Sequence, residues 1–296
     1  MGFSSHRFGA SLHGSVVKIA TPAKINWSLY VLDKRPDRYH NICSLMQCVE
    51  LYDSLTLEHA NDMELVSDID IPTGENLVFK AAAALRRYAG TGKGARISLA
   101  KAIPSGAGLG GGSSDAAAAL WGLNNLWKLG LDKDELKSIG AGLGADVPFF
   151  FDCPMALAEG KGEALTPLKP GKSYPLLLVK PEAAVPTAWA YNALEAAKLT
   201  NRTDKVNNIK LIYDLVVSGN ISSLSENLHN DFEGVVFKEY PMIGELKKKL
   251  FYSGAVAALM SGSGSSVFGV FESREAAEKA AGCFDGYWHR VVATLC

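Results

Sequence analysis

Between Pro104 and Asp115 the chain reads Pro104-Ser105-Gly106-Ala107-Gly108-Leu109-Gly110-Gly111-Gly112-Ser113-Ser114-Asp115, five glycines in nine residues, and the strongly helical run Ala116 to Trp127 follows at once. Glycine lets the backbone take positive φ angles and approach a ligand closely. The first N–H groups of a helix have no intrahelical partner and carry the positive end of its dipole. A loop of this composition entering a helix is suited to an anion, and a polyphosphate is the natural occupant. The plainer reading is a flexible turn capped by Ser113 or Ser114, with Asp115 well placed in the first helical turn.

Two familiar phosphate-binding loops can be tested against this segment. Gly106-x-Gly108-x-x-Gly111 matches the dinucleotide fingerprint in form, and Asp132 lies about 20 residues on. Yet Arg96 to Ile103, the strand before it, alternates apolar with polar residues and carries Lys101, whereas a buried parallel strand is continuously apolar. Pro104 also interrupts the approach, and several strands precede the unit. A nicotinamide-dependent oxidoreductase remains a competing reading, separable by whether NAD or ATP raises the melting temperature. The Walker loop fails outright: no Gly-x-x-x-x-Gly-Lys-Ser/Thr occurs, and Gly90-Thr91-Gly92-Lys93-Gly94 has neither its spacing nor its hydroxyl.

At 296 residues the chain exceeds the usual single domain, so two domains are expected. With 30 Lys and Arg against 31 Asp and Glu and no long basic run, neither nucleic acid nor an anionic membrane is an expected partner, and a small molecule is. Five cysteines, an odd number without a Cys-x-x-Cys pair, fit neither a disulfide framework nor a zinc site and point to a reducing cytoplasm. No apolar run approaches the roughly 20 residues that span a bilayer. Met1 to Ser15 lacks the apolar centre of a signal peptide; rich in Ser and Gly, basic and without acid, it fits an irregular start or a piece of an organellar address.

Alternation from Lys18 to Val31, broken at Thr21-Pro22, predicts a bent, half-buried strand with Lys24, Asn26, Ser28 and Tyr30 on its polar face. A strand-rich stretch covers Ser44 to Glu58, and a helix is predicted over Asn76 to Tyr88. Another begins at Asp132 and ends near Ala141, where Gly142-Leu143-Gly144-Ala145-Asp146-Val147-Pro148 breaks it before the apolar run Phe149 to Phe151. The domain boundary is expected near Cys153, before a Pro- and Gly-rich stretch and a new strand, Leu176 to Lys180. Ala255 to Met260 and Ser266 to Phe271 read as strands around Ser261-Gly262-Ser263-Gly264-Ser265.

Three segments in order then resemble the motifs of the GHMP-kinase superfamily, named for galactokinase, homoserine kinase, mevalonate kinase and phosphomevalonate kinase. They are Thr21-Pro22-Ala23-Lys24-Ile25-Asn26, Pro104 to Ser114, and Met260 to Ser266. Asp37-Arg38-Tyr39-His40, Gly144 to Pro148, Ala158 to Glu163 and Asn230-Asp231-Phe232-Glu233 resemble, within it, the kinases that phosphorylate a diphosphocytidyl-linked methylerythritol. The match runs from about Ile19 to Phe271.

The resemblance implies an α+β, two-domain GHMP-kinase fold: an N-terminal ribosomal-protein-like, ATP-binding domain over 1–153 and a ferredoxin-like C-terminal domain over 154–296. It implies transfer of the γ-phosphoryl of ATP, with Mg²⁺, to the 2-hydroxyl of the cytidine-diphosphate-linked substrate, on the non-mevalonate route to isoprenoid precursors. Related kinases acting on mevalonate or homoserine are the alternative, and their substrates contain no nucleobase for an Asp-x-Tyr-His segment to read.

Residue roles carry over position by position. Asp146 matches the catalytic carboxylate that takes the hydroxyl proton; alone, it is equally a turn aspartate before Pro148. Lys24 matches its partner, an ammonium that offsets charge on the transferring phosphoryl, although a lysine on a polar strand face is ordinarily solvated. Pro104, Ser105, Gly106, Ala107, Gly108, Leu109, Gly110, Gly111, Gly112, Ser113 and Ser114 would hold the ATP phosphates. Asn76 resembles a position near the adenine and is also a good helix cap. Asn26, Tyr39, His40, Thr187 and Tyr191 match substrate positions, the aromatics stacking on the cytosine; by itself His40 would be a surface or satisfied core histidine. Gly262, Ser263 and Gly264 should approach phosphates, or else form a plain hairpin linker. Arg38 departs from the family, which commonly has glycine there, so the turn before Tyr39 is expected to differ. Magnesium needs no all-protein cage when phosphates and water supply most of its ligands.

Overall fold

A computed structural model describes residues 11–13, 16–152, 154–196 and 202–296. Most of the opening segment, and Cys153 at the expected boundary, therefore lie outside the described residues. The chain divides into two compact units: residues 1–23, 51–105 and 110–153 form the first, and 24–50, 106–109 and 154–296 the second.

The first unit holds β1 (Ser11–His13), the start of β2 (Val16–Lys34), the end of β3 (His40–Ala60), β4 (Met63–Ser67) and β5 (Gly94–Ala100), residues 24–34 and 40–50 of the two long strands belonging to the second unit. β5 runs antiparallel to β3 and parallel to β4. Four helices accompany them: α1 (Leu77–Tyr88), α2 (Gly111–Trp127), α3 (Lys133–Ala141) and α4 (Phe149–Asp152). Nearly every residue of α2 is buried, which its run of small Ala116 to Ala119 permits. Gly122 lets it settle onto the strands, since an added Cβ there would collide with Leu57 Cδ1 and lie 2.8 Å from Ile19 Cδ1. Asp132 starts α3 as expected, with a capping box to Glu135.

In the second unit β6 (Met155–Glu159) pairs with β3 and with β7 (Ala164–Pro167). A separate sheet follows, made of β8 (Pro175–Lys180), β10 (Ala257–Met260), β11 (Val267–Val270) and β12 (Trp288–Ala293) in the order β10-β11-β8-β12, every neighbour antiparallel. Between β8 and β10 come α5 (Thr187–Ala196), α6 (Arg202–Ser218), α7 (Leu224–Asn227), the two-residue β9 (His229–Asn230), α8 (Glu233–Glu239) and α9 (Pro241–Tyr252), and α10 (Arg274–Ala281) precedes β12. Strands in chain order one to four thus lie as 2-3-1-4, the split arrangement of a ferredoxin-like domain. Leu177, Val179, Leu246, Leu250, Met260 and Phe271 belong to its core.

One expectation changes. β2 is buried on both faces from Thr21 to Val31. Most of its polar face can be interior because those side chains are hydrogen-bonded, the Ser28 hydroxyl being buried without a partner among the described residues: Lys24 Nζ donates to Asn26 Oδ1 at 2.8 Å, Asn26 Nδ2 to Ser44 Oγ at 2.8 Å, and Ser44 Oγ to the Ser28 carbonyl at 2.6 Å.

Candidate active site

All three glycine- and lysine-bearing motifs meet within the second unit. The Lys24 amide donates to the Leu109 carbonyl at 2.9 Å, the Ser266 amide to that of Ala107 at 3.2 Å, and Ser261 Oγ to that of Gly108 at 3.0 Å. Gly108 has φ 74°, and a Cβ on it would run into the Ser261 carbonyl oxygen. Only glycine allows that approach. Lys24 is 3% exposed, so the solvated-lysine reading does not hold, and its ammonium is oriented through Asn26 and Ser44.

The third motif is held from behind by residues the sequence reading left without a role. Asn230 Nδ2 donates to the carbonyls of Met260 (2.7 Å) and Gly262 (2.8 Å), and Glu233 Oε1 accepts from the Met260 amide at 2.9 Å. Their clustering just after α7 was the available signal. Thr187 Oγ1 and Ser263 Oγ lie 2.9 Å apart, joining the start of α5 to the same turn. Gly262 and Gly264 take φ 58° and 92°.

His40 and Tyr191 come together as a stacked pair, centroids 5.2 Å apart and planes 15° from parallel, and Phe232 braces Tyr191 edge-on at 4.9 Å. Tyr39 beside them is 60% exposed, with Lys161 Nζ 4.8 Å from its ring centroid. Arg38 adopts φ 70°, the left-handed conformation that glycine takes without strain. The turn is closed by hydrogen bonds from Arg35 N to Tyr39 O at 2.7 Å and from Arg38 N to Arg35 O at 3.1 Å.

In the first unit the other end of the glycine loop becomes the start of α2. Gly110, φ 71°, is its N-cap, without a side-chain cap of the Ser113 or Ser114 kind. Ser114 Oγ is buried and has no hydrogen-bond partner among the described residues, a placement that leaves it for a ligand. Pro104 is half-buried, while Ser105 and Gly106 are exposed and Gly106 has open space around it. A Cβ on Gly112 would touch Leu77 Cδ1 at 3.4 Å, so the start of α1 lies beside this turn. Asn76 caps α1, its Oδ1 accepting from the Val78 amide at 2.9 Å. Asp146 sits half-buried in the turn before α4; that turn's Gly144 would place a Cβ 3.9 Å from Ser113 Oγ, next to the first turn of α2.

Beneath the loop lies a buried ionic cluster. Lys101 Nζ pairs with Asp53 Oδ2 and, at 2.8 Å, with Asp115 Oδ2; Thr21 Oγ1 donates to Asp115 Oδ1 at 2.6 Å. Burial raises the Asp115 pKa to about 6, with Lys101 opposing and Asp53 adding to the rise. Burial alone would lower the Lys101 pKa, but Asp115 and Asp53 outweigh it and leave it raised. Two carboxylates and one ammonium carry a net negative charge, so the cluster gains by taking up one proton. No group of three or more His, Cys, Asp and Glu suited to a metal ion occurs among the described residues, and no helix there is long and apolar enough to cross a membrane. Cys43, Cys48, Cys283 and Cys296 are thiols.

Comparison with known proteins accords with this geometry. The family model described as GHMP kinases N terminal domain matches residues 76–153, and GHMP kinases C terminal matches 211–289. A 4-diphosphocytidyl-2-C-methyl-D-erythritol kinase of Thermodesulfovibrio yellowstonii is 48% identical over 92% of this chain and 96% of its own. A crystal structure of a 4-(cytidine 5'-diphospho)-2C-methyl-D-erythritol kinase superposes with a TM-score of 0.81 at 33% identity, covering 94% of this chain and 98% of that one. A homoserine kinase from Cytophaga hutchinsonii shares the fold, with a TM-score of 0.75 at 18% identity over 96% of each chain. The dinucleotide-binding alternative is thereby set aside: this chain belongs to the GHMP kinases, in their 4-diphosphocytidyl-2-C-methyl-D-erythritol kinase branch.

Proposed function

We propose that this chain transfers the γ-phosphoryl of ATP to the 2-hydroxyl of 4-diphosphocytidyl-2-C-methyl-D-erythritol, giving the 2-phosphate and ADP, in the non-mevalonate route to isoprenoid precursors. The observation that carries the reading is the convergence of the first and third motifs on the glycine loop, through Lys24 N to Leu109 O and Ser261 Oγ to Gly108 O.

Each part has a chemical task. Main-chain amides of Gly106 to Ser114 and the start of α2 cradle the ATP phosphates, with Pro104 and Ser105 leading in and Asn76 on the adenine side. Asp146 accepts the proton of the attacking hydroxyl, and the oriented Lys24 ammonium offsets charge on the transferring phosphoryl. Within the second unit Lys24 borders the loop at Leu109; within the first, the turn that carries Asp146 lies beside Ser113. Tyr39, His40 and Tyr191 receive the cytosine, and Asn26, Thr187, Gly262, Ser263 and Gly264 hold the rest of the substrate. Mg²⁺ accompanies ATP and supplies charge neutralisation on its phosphates. The unpartnered Ser114 hydroxyl suits such an ion, the remaining ligands being phosphate oxygens and water.

The matched family segments, 76–153 and 211–289, fit an N-terminal ATP-binding part and a C-terminal part divided near residue 153, although residues 24–50 and 106–109 pack with the second unit. Thiol cysteines support a cytoplasmic protein. An ADP-release assay tests the function: turnover is expected with the diphosphocytidyl substrate and not with mevalonate or homoserine, and turnover with only the latter two refutes the substrate.

A further inference from the structure

We infer that Thr21, Asp53, Lys101 and Asp115 form a positioning device for ATP, a buried clamp that holds the two flanks of the glycine loop at the spacing the phosphates require. The inference rests on the reading that this loop holds ATP.

The clamp grips both flanks through named atoms. On the entering side Asp53 Oδ1 accepts from the amides of Ala102 (2.6 Å) and Ile103 (2.8 Å), the last two residues before Pro104, and Asp68 accepts from the Lys101 amide at 3.0 Å. On the leaving side stands Asp115, one residue after the unpartnered Ser114 hydroxyl. Lys101 Nζ bridges the two carboxylates, and Thr21, three residues before Lys24, fixes the second oxygen of Asp115. Gly111 completes the fit: a Cβ there would come within 2.8 Å of Ile103 Cγ2 and 3.1 Å of Lys101 Nζ. The flanks are therefore in contact as well as bonded. Asp115 is 1% exposed and Asp53 likewise, so neither is there for solubility.

A buried charge cluster is weak as a source of stability, because desolvation consumes most of the Coulomb gain; its usual merit is in fixing one arrangement. Here the arrangement fixed is that of the loop. The groups facing Asp115 are Lys101, Asp53 and the Thr21 hydroxyl, and they tie it to the strand that leads into the loop.

The test is steady-state kinetics of Asp115→Asn, which keeps an acceptor for Thr21 and leaves Lys101 paired with Asp53. KM for ATP is expected to rise at least about tenfold, with KM for the diphosphocytidyl substrate held within about twofold. A merely structural role would lower the melting temperature and leave that split absent, which overturns the inference. Should Asp115→Asn fail to fold, Thr21→Val deletes a single hydroxyl: a selective rise in KM for ATP supports the clamp, and an unchanged value overturns it. Absence of ADP release from the unmutated chain would instead overturn the kinase reading beneath.

Discussion

Ser261 and Gly108 are locked together: the Ser261 hydroxyl donates to the Gly108 carbonyl at 3.0 Å, while the Ser261 carbonyl fills the space that a side chain on Gly108 would need. The phosphate loop and the third motif thus form one surface, and its shape depends on a residue having no Cβ. Gly108→Ala should displace the loop and lower kcat/KM for ATP by about 10²-fold or more, since misplaced amides no longer meet the phosphates. Kinetics read beside a circular dichroism spectrum check this; unchanged ATP kinetics would falsify it.

Asp146→Asn and Lys24→Met should each lower kcat by at least about 10²-fold in a folded protein, the usual worth of a general base or a charge-stabilising group. Near-normal turnover in folded Asp146→Asn refutes the base assignment. Lys24→Met also leaves Asn26 Oδ1 without its donor inside the protein, so a modest fall in melting temperature accompanies the kinetic loss.

The stacked His40 and Tyr191 predict a separation of substrate effects. Removing the Tyr191 ring by Tyr191→Ala should raise KM for the diphosphocytidyl substrate about tenfold or more, a stacking contribution of about 1–3 kcal/mol per base. KM for ATP should stay nearly constant. Equal changes in both constants would contradict a base pocket at this stack.

Gly122 sits inside a helix, where alanine is intrinsically better by up to about 1 kcal/mol. Its contact with Leu57 and Ile19 reverses the sign: overpacking costs about 1–3 kcal/mol, so Gly122→Ala should lower the melting temperature. A rise would show that the two side chains yield freely.

Asp115 predicts a pH signature in stability. Its pKa is raised from 3.8 to about 6 in the folded chain, so the folded state binds the extra proton. Its favourable contribution is complete below about pH 4 and is lost as pH rises through about 6. Urea denaturation across that range should show stability falling with pH more steeply in the unmutated chain than in Asp115→Asn; parallel curves would contradict it.

The long alternating stretches of β2, β3 and β5, and α2 behind its glycines, were legible because each pattern is local and repeats over many residues. β4 and β12 were not: each is brief, and its pairing with β5 or β8 comes from distant chain. Lys101 stood out in the sequence only as a charge that spoiled an apolar strand, because nothing local shows that Asp53 and Asp115 close around it. Arg38 at φ 70° was likewise illegible, because its side chain disfavours the left-handed conformation that the hydrogen bonds across the turn hold.

By itself the sequence determined the chemistry on offer: a glycine loop before a helix, a lysine and an aspartate beside proline, and an aromatic pair at separated positions. Tertiary structure decided which of these groups meet, that Lys24 is interior, and that Asn230 and Glu233 are struts of the third motif. The physical reason is that burial and hydrogen-bond partnership depend on segments far apart in the chain, whereas turn, cap and strand preferences are properties of a few neighbouring residues.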